Sequence, residues 1–448
     1  MRKKAIVHVM TKMRMKSDLF STEIDAIEQL SENYGVKNII CYKWEQIEYI
    51  DLINRLEKFG ILFCHYSNKE ELKEKLTEYQ NEYEIAFVST PLEILVNLTD
   101  ELKSHLGQSV SEHANIFRDK HLQRHLIQEH NPELGIKFLK WEHDQLDVDE
   151  IEQKIWYPYI IKPIDGVQSS WVGKINNRGD FEEYMTHYQG FHDKLKSKWI
   201  DTNELIVEEF IDGQLYSIDY FVDQNGDTFI SKPVKVKLGI DIDVQDYCNI
   251  ARIVSEKTEG EFKWKRLKTF INSTIKATGV KNTFVHHEFK INSKWEFKTI
   301  ELNGRIGWGR LEVMLKWYEL NLYEFIVNPE TKPGKLKNNV MGINLYATKQ
   351  WILNGYNQKL LDKISQRESV YTIETDESAL GKEIGLTKDG FEKVWVIKIK
   401  NKDYKALRKD YMYIKKNYSD LLEITVPLID NATRTPSFEA VKKLALED

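Results

Sequence analysis

Residues 284–310, FVHHEFKINSKWEFKTIELNGRIGWGR, concentrate the side chains able to do chemistry. They read as two strands joined by a short turn at Asn292-Ser293-Lys294. Period-two geometry puts Phe284, His286, Glu288 and Lys290 on one face of the first strand. Thr299, Glu301, Asn303 and Arg305 share a face of the second, opposite Ile300 and Leu302. A hairpin brings Glu288 and Glu301 side by side. Two carboxylates plus the Asn303 amide oxygen suit Mg²⁺, a hard cation that takes oxygen ligands and bridges phosphates. Uncompensated, the two carboxylates repel, so without a cation the pair reads as a mild liability. Arg305 then stands beside the metal, where its fork can bind phosphate or an anion that develops during transfer. For any one of these acids an ordinary solvated hairpin face is an alternative; the ordered cluster Glu…Glu-x-Asn-x-Arg favours the metal.

A second segment, YPYIIKPIDGVQSSWVGKI at 157–175, places Lys162 inside an apolar strand. A lysine is costly to bury unless an anion meets it. The loop that follows offers Gly166, Ser169 and Ser170, whose backbone N–H groups and hydroxyls can cover a phosphate chain. It is not a Walker A loop, because the spacing GxxxxGK[ST] is absent. A flexible hairpin turn is the bland alternative. A third segment, LIVEEFIDG at 205–213, can present the backbone of Glu208, Glu209, Phe210 and Ile211 to an adenine edge, with apolar side chains against the ring. An edge strand reads equally well there.

His286 and His287 invite a zinc site. Adjacent strand residues point to opposite faces, so a structural role is favoured, with His286 as a supporting group near the metal. Lys235 and Lys237 alternate on a strand and read as a solvated face, with the phosphates as the alternative. Arg310 reads as a surface arginine or as a site for a substrate carboxylate. Cys41, Cys64 and Cys248 are far apart and form no CxxC or zinc spacing.

These residues need elements to hold them. AIVHVM at 5–10 reads as a buried strand, 18–34 as an amphipathic helix stopped by Gly35, and 38–42, 61–65 and 84–88 as further strands separated by helices. That alternation implies a parallel α/β domain over residues 1–115. No glycine-rich dinucleotide fingerprint follows its first strand, so it need not bind a nucleotide. Helical signals resume at 118–129, strands dominate from 157 to 303, and a helix runs over about 311–327. Pro329 and Thr331-Lys-Pro-Gly334 mark a boundary, and residues 331–448 read as an α+β subdomain with a strand at 394–400.

The chain has 448 residues, 41% of them hydrophobic, and a formal net charge of −6. That charge does not favour a nucleic-acid or membrane-surface partner. No stretch approaches the roughly 20 apolar residues that span a bilayer. Few cysteines and no signal-peptide core fit a cytoplasmic protein.

Taken in order, the motifs over residues 116–328 resemble the ATP-grasp superfamily. Arg118-Asp119-Lys120, opening a helix, resembles its Asp-Lys segment, whose lysine reaches nucleotide phosphates. Tyr157–Lys162 resembles the strand carrying the second phosphate lysine, and Ile206–Ile211 the adenine hinge. Glu288, Glu301 and Asn303 match the metal ligands, and Arg305 the adjacent catalytic arginine. The resemblance implies an ATP-grasp fold over 116–330, α+β in character, with a lid over about 126–200. Residues 1–115 resemble the usual preceding domain, and the C-terminal region the extra subdomain of the carboxylate–amine ligases. The implied activity is Mg-ATP-dependent amide or peptide bond formation through an acyl phosphate, releasing ADP and phosphate, with Mn²⁺ able to substitute. The implied partners are small carboxylate and amine substrates, amino acids or a short peptide, and a homodimer is allowed. A bicarbonate-activating carboxylase and a non-catalytic ATP-binding module are the alternatives. Three positions depart from the pattern. Trp171-Val172 stands where many relatives carry Gly-Val, with Trp171 expected to stiffen the loop or close over the nucleotide. Leu215 replaces a ribose-binding glutamate, leaving Asp212 or another acid to substitute or the ribose contact weaker. Gly307-Trp308-Gly309 replaces paired glycines.

Overall fold

The computed structural model describes residues 2–10, 19–43, 57, 60–166, 171–196, 203–239, 248–346, 351–384 and 393–425. Packing divides the chain into two compact units, residues 1–237 with 253–339 and residues 238–252 with 340–448.

The first unit begins with β1 (Lys3–Val9), α1 (Leu19–Tyr34), β2 (Lys37–Tyr42), β3 (Leu62–His65), α2 (Lys69–Glu82), β4 (Tyr83–Ser89) and α3 (Val96–His105). The strands form a four-stranded sheet in the order β3-β2-β1-β4, with β1 parallel to both neighbours and β2 parallel to β3. Their continuous apolar runs are what a sheet covered on both faces requires. Ala5, Val7 and Val9 pack with the α2 and α3 side chains Leu72, Leu76 and Leu102 on one side. Ile40 packs with Ile24 and Ile27 of α1 on the other.

α4 (Lys120–His130) follows, then β5 (Phe138–Glu142), α5 (Val148–Lys154), β6 (Tyr159–Pro163), β7 (Gly173–Ile175), α6 (Arg178–Lys196) and β8 (Glu204–Glu209). Their strands make an antiparallel sheet, β5-β8-β6-β7. Ile151, Tyr159, Ile161, Trp171, Phe181, Tyr188, Leu205 and Val207 fill its core.

The third layer contains β9 (Gln214–Val222), β10 (Thr228–Ile230), β11 (Val234–Leu238), β12 (Asn249–Val254), α7 (Glu256–Gly260), α8 (Trp264–Thr278), β13 (Thr283–Ile291), β14 (Phe297–Asn303) and α9 (Arg310–Tyr318). In the first unit the strands run β14-β13-β9-β11, antiparallel throughout, with β10 on β9. One face of this sheet presents Tyr216, Ile218, Tyr220, Val285 and Phe289 to α8, whose buried stripe includes Leu267, Phe270, Ile271 and Ile275. The second unit holds β12 with β15 (Asn339–Tyr346), β16 (Trp351–Tyr356), α10 (Gln358–Ser365), β17 (Val370–Thr375), β18 (Glu383–Ile384), β19 (Lys393–Asn401), α11 (Tyr404–Lys416) and β20 (Leu422–Thr425). It contains the runs β12-β15-β19-β17 and β18-β16-β20.

Sequence reading and structure differ in four places. The region 157–303 carries two long helices, α6 and α8, where strands were expected to dominate. In α8 the buried stripe is diluted by Thr274 and Thr278, whose hydroxyls bond back to Phe270 and Thr274 carbonyls. The helix expected over 311–327 ends at Tyr318. Glu319 takes a left-handed φ of 51°, and a 3₁₀ turn follows at Leu322–Ile326. The hairpin turn is longer than the three residues expected, since β13 ends at Ile291 and β14 starts at Phe297. A bulge breaks its alternation as well. Glu288 pairs with Glu301, but Phe289 pairs with Thr299, so Ile300 is the extra residue. The carboxylates therefore stay together, while Thr299 turns to the other face and lies 3.1 Å from His287 Nε2.

His287 is fully buried between that hydroxyl and Tyr220, 3.3 Å away, and burial pushes its pKa down to about 3. Below pH 6.5 the unfolded chain takes a proton that the folded chain refuses until about pH 3, so this residue costs stability as pH falls. His287→Gln should shrink the loss of unfolding free energy between pH 7 and pH 5 by about 2 kcal/mol. Urea unfolding at the two pH values measures it.

Candidate active site

β14 stands at the end of its strand order, so among the described residues one side of its backbone has no strand partner. α4 supplies the missing partners. The Gln123 side chain accepts from Leu302 N–H at 3.0 Å and donates to the Leu302 carbonyl at 2.9 Å, copying a strand pairing. Arg124 Nη2 donates to the Ile300 carbonyl at 2.5 Å. The helix starts cleanly because the Asp119 carboxylate caps Leu122 N–H at 2.9 Å. Its first residue, Lys120, is thereby laid against the strand that carries Glu301. Lys120 Nζ lies 2.8 Å from Glu301 Oε1 and donates to the Gly166 carbonyl at 2.6 Å.

A second buried ionic group lies alongside. Glu208, 4% exposed, accepts from Lys162 at 2.7 Å and pairs with Arg124 Nε at 2.7 Å. Burial raises the Glu208 pKa, but Arg124 and Lys162 more than offset it and hold the carboxyl below its ordinary value. Burial likewise lowers the Lys162 pKa, and Glu208 only partly restores it. Lys162 is thus not the isolated buried charge that its strand position implies; its anion is internal.

On the sheet face away from α8, Ser217 and Asp219 of β9 oppose Glu288 and His286 of β13. His286 bridges two carboxylates, with Nδ1 3.2 Å from Asp219 and Nε2 3.4 Å from Glu288. Burial lowers its pKa, yet Asp219 and the Glu288 hydrogen bond raise it above the usual histidine value. Burial raises the Glu288 pKa, and His286, Arg310 and Arg305 more than reverse this. Asp219 also accepts from Gly307 N–H at 2.6 Å. Gly307 must be glycine, because a Cβ there would stand 2.2 Å from His286 Nδ1. Arg310 is buried rather than a surface residue and donates twice to Ser217 Oγ, at 3.1 and 2.6 Å. Glu288 and Glu301 are therefore not unpartnered neighbours: Lys120 stands on Glu301 and His286 on Glu288.

The third carboxylate is Glu93, on the turn after β4. Arg305 Nη2 lies 2.8 Å from it and Arg118 Nη1 3.4 Å. The amide orientation that satisfies Asn303 at both ends aims its Nδ2 at the two Glu93 oxygens, 3.0 and 3.3 Å away. Arg118 continues the chain by donating to the Asp165 carbonyl at 3.0 Å.

The hinge is more occupied than its sequence implies. Glu208 turns its side chain into the ionic group, Glu209 accepts from Lys137 N–H at 2.9 Å, and Phe210 N–H donates to the Pro158 carbonyl at 3.3 Å. Lys290 donates to the Ile211 carbonyl at 2.7 Å, and its Nζ and that of Lys174 lie 4.9 and 4.2 Å from the Phe210 ring centre. Gly166 N–H donates to the Pro163 carbonyl at 3.4 Å, so it closes its own turn. Ser169 and Ser170 lie outside the described residues. Trp171 is buried in the β5-β8-β6-β7 core against Tyr184 and Tyr188, rather than over a nucleotide. Lys235 turns to the α8 face and pairs with Glu261 at 2.8 Å. Leu215 is buried, and Asp212 is exposed.

Among the described residues no group of three or more His, Cys, Asp or Glu side chains stands ready to hold a metal. A donor set of Glu288, Glu301 and Asn303 is of a different kind: two acids and an amide, completed by ligand oxygens. Sequence reading missed four residues of this constellation. Asp219 had a signal, an acid inside the apolar run LYSIDYFV at 215–222. Gln123, Arg124 and Glu93 had none, because their partners lie in other elements.

Removing the shared anion should be the costliest ionic change here. Glu208→Gln leaves Arg124 and Lys162 buried without a charge partner and should lose about 3–5 kcal/mol. Lys162→Met leaves Glu208 still paired with Arg124 and should lose clearly less. Urea denaturation of both variants provides the comparison.

Residues 155–311 match the family model of the ATP-grasp domain. No curated protein matches the sequence. Similar solved structures include an L-amino acid ligase from Bacillus licheniformis, at 16% identity and TM-score 0.65, covering 95% of this chain and 99% of that one. An N5-carboxyaminoimidazole synthetase from Staphylococcus aureus, solved with ADP, has 13% identity and TM-score 0.59, covering 94% and 99%. The biotin carboxylase domain of a Hydrogenobacter thermophilus 2-oxoglutarate carboxylase, solved with MgADP and bicarbonate, has 13% identity and TM-score 0.56, covering 95% and 91%. At these identities the likeness is one of fold.

Proposed function

We propose that this chain, a member of the ATP-grasp superfamily, is a ligase that activates a small carboxylate as an acyl phosphate and passes it to an amine. The observation that carries the reading is the Glu288–Glu301 register. It sets two carboxylates opposite each other on paired strands, with Lys120 on one of them and Asn303 two residues on. Glu288, Glu301 and Asn303 would hold Mg²⁺, which would supply charge neutralisation for the phosphates.

The chain's own residues supply the rest. Lys120 and Lys162 hold the phosphates, exchanging carboxylate partners for phosphate oxygens. The Glu208–Ile211 segment receives the adenine beside Phe210. Arg305 meets the charge that develops as the γ-phosphoryl group moves to the substrate carboxylate oxygen and ADP leaves. The amine then attacks the carbonyl carbon, phosphate departs, and the amine loses a proton. No enzyme nucleophile is required. Residues of the β5-β8-β6-β7 layer exclude water, which would otherwise hydrolyse the intermediate.

ADP release should be measured with Mg-ATP over a panel of amino acids, small carboxylates and bicarbonate, with mass spectrometry of the products. Release that requires two amino acids or a carboxylate–amine pair, with an amide product, supports the ligase. Release that requires bicarbonate points to a carboxylase, and nucleotide binding without turnover to a regulatory module.

Glu301→Gln should lower turnover at least a hundredfold. It should cost only about 1 kcal/mol of stability, because Lys120 keeps the Gly166 and Ile164 carbonyls. A strongly destabilised but active variant would return Glu301 to a structural role. Melting temperature and ADP release on one preparation decide the matter.

A further inference from the structure

Glu93 lies outside every motif that the ligase reading uses, yet three donors converge on it. Its side chain is 10% exposed and sits on the short turn Glu93–Leu95 that follows β4. One oxygen faces Arg118 at 3.4 Å and the other Arg305 at 2.8 Å; in the amide orientation that satisfies Asn303 at both ends, both also lie within 3.3 Å of its Nδ2.

An asparagine ligates a hard cation through Oδ1 only. Its amide is nearly symmetric in shape, so a neighbour must decide which end faces the metal. A carboxylate does this unambiguously, since it accepts and never donates. With Glu93 holding Nδ2, Oδ1 is directed away from Glu93. The same carboxylate fixes Arg305, two residues further on, and through Arg118 it is tied to Asp165 at the start of the candidate phosphate loop.

We propose that Glu93 is a positioning residue: it sets the Asn303 amide so that Oδ1 faces the cation, and it orients Arg305 toward the transferring group. This rests on the ligase reading of the same site. The competing account is a structural ion pair that ties the first sheet to the rest of the unit and has no bearing on the amide.

The two accounts separate on metal affinity. Mn²⁺ binding to the full chain in the presence of ADP is followed by electron paramagnetic resonance, and ADP binding without metal by calorimetry. Glu93→Gln presents an amide in place of the carboxylate, so it should weaken Mn²⁺ ten- to a hundredfold, while ADP affinity without metal stays within about twofold. Adding Asn303→Asp inverts the pair: the amide introduced by Glu93→Gln now donates, and position 303 offers a carboxylate oxygen to the cation. Mn²⁺ affinity should recover to within about threefold of the unsubstituted protein. Unchanged Mn²⁺ affinity in Glu93→Gln overturns the proposal. So does weakened affinity that Asn303→Asp fails to recover, because a purely structural ion pair gives that result. Absence of Mn²⁺-ADP binding in the unsubstituted protein would instead defeat the ligase reading, and this proposal with it.

Discussion

A strand at the end of a sheet has backbone groups with nowhere to go, and in this protein that constraint builds the site. β14 carries Glu301 and Asn303, and its outer side must be covered. α4 covers it with side chains rather than another strand. Gln123 takes both Leu302 backbone groups, and Arg124 takes the Ile300 carbonyl. A bidentate amide on a strand tolerates no slippage, so it fixes the helix along β14 as well as across it. Lys120, one turn earlier, then falls on Glu301. Arg124, at the next position after Gln123, turns its Nε to Glu208 of a different sheet. One edge-capping contact thus sets the spacing between the two groups of charge.

Those charges are arranged in pairs whose members come from different elements. Lys120 of α4 meets Glu301 of β14, and Lys162 of β6 meets Glu208 of β8. The buried Lys162–Glu208 pair contributes little net stability, because desolvation offsets most of its attraction, but each member strongly requires the other. Lys120 depends less on Glu301, since the Gly166 and Ile164 carbonyls also hold it. Under the proposed function the consequence is thermodynamic coupling. Phosphate that takes Lys120 frees Glu301 for a cation, and a cation on Glu301 frees Lys120 for phosphate. Nucleotide and metal would then favour each other's binding without any movement of the backbone. Asp219 plays a related part on β9. It holds the Gly307 amide and His286 together, so the segment after Arg305 and the Glu288 side chain share a support.

What the sequence made legible was what lies within one element. The Glu288–Glu301 pairing follows from alternation and a short connection, and the first parallel sheet follows from its apolar runs. Alternation failed at Ile300, where one extra residue turns Thr299 toward His287; a bulge leaves no mark in a pattern of apolar and polar types. The helix α8 was hidden for a similar reason, since threonines on its buried face satisfy their hydroxyls on the helix backbone and read as polar. Lys162 was correctly singled out as needing an anion, but Glu208 lies 46 residues away, and nothing local says that it, rather than a ligand, meets the lysine. Glu93 is the extreme case. It follows a strand in a domain without a nucleotide fingerprint, and its three donors lie between 25 and 212 residues further along the chain.

Under the proposed function, that last feature gives the parallel domain, which lacks a nucleotide fingerprint, a part in this site. Arg305 and Asn303 would then need an acceptor that is rigid and anionic, placed on the side away from the cation. Under that reading the β13 and β14 acids, Glu288 and Glu301, are committed to the cation and do not provide it. An acid from a separate layer can. β4 ends at Ser89, Thr90 caps its own turn by accepting from Leu92 N–H at 3.1 Å, and Glu93 emerges pointing at the neighbouring layer. Gly304 permits the approach, since a Cβ there would stand 2.7 Å from Val96 and 2.6 Å from Phe117. The first sheet thus serves the site as a fixed mount for one carboxylate, and the packing of Gly304 against Val96 holds that mount at hydrogen-bonding distance.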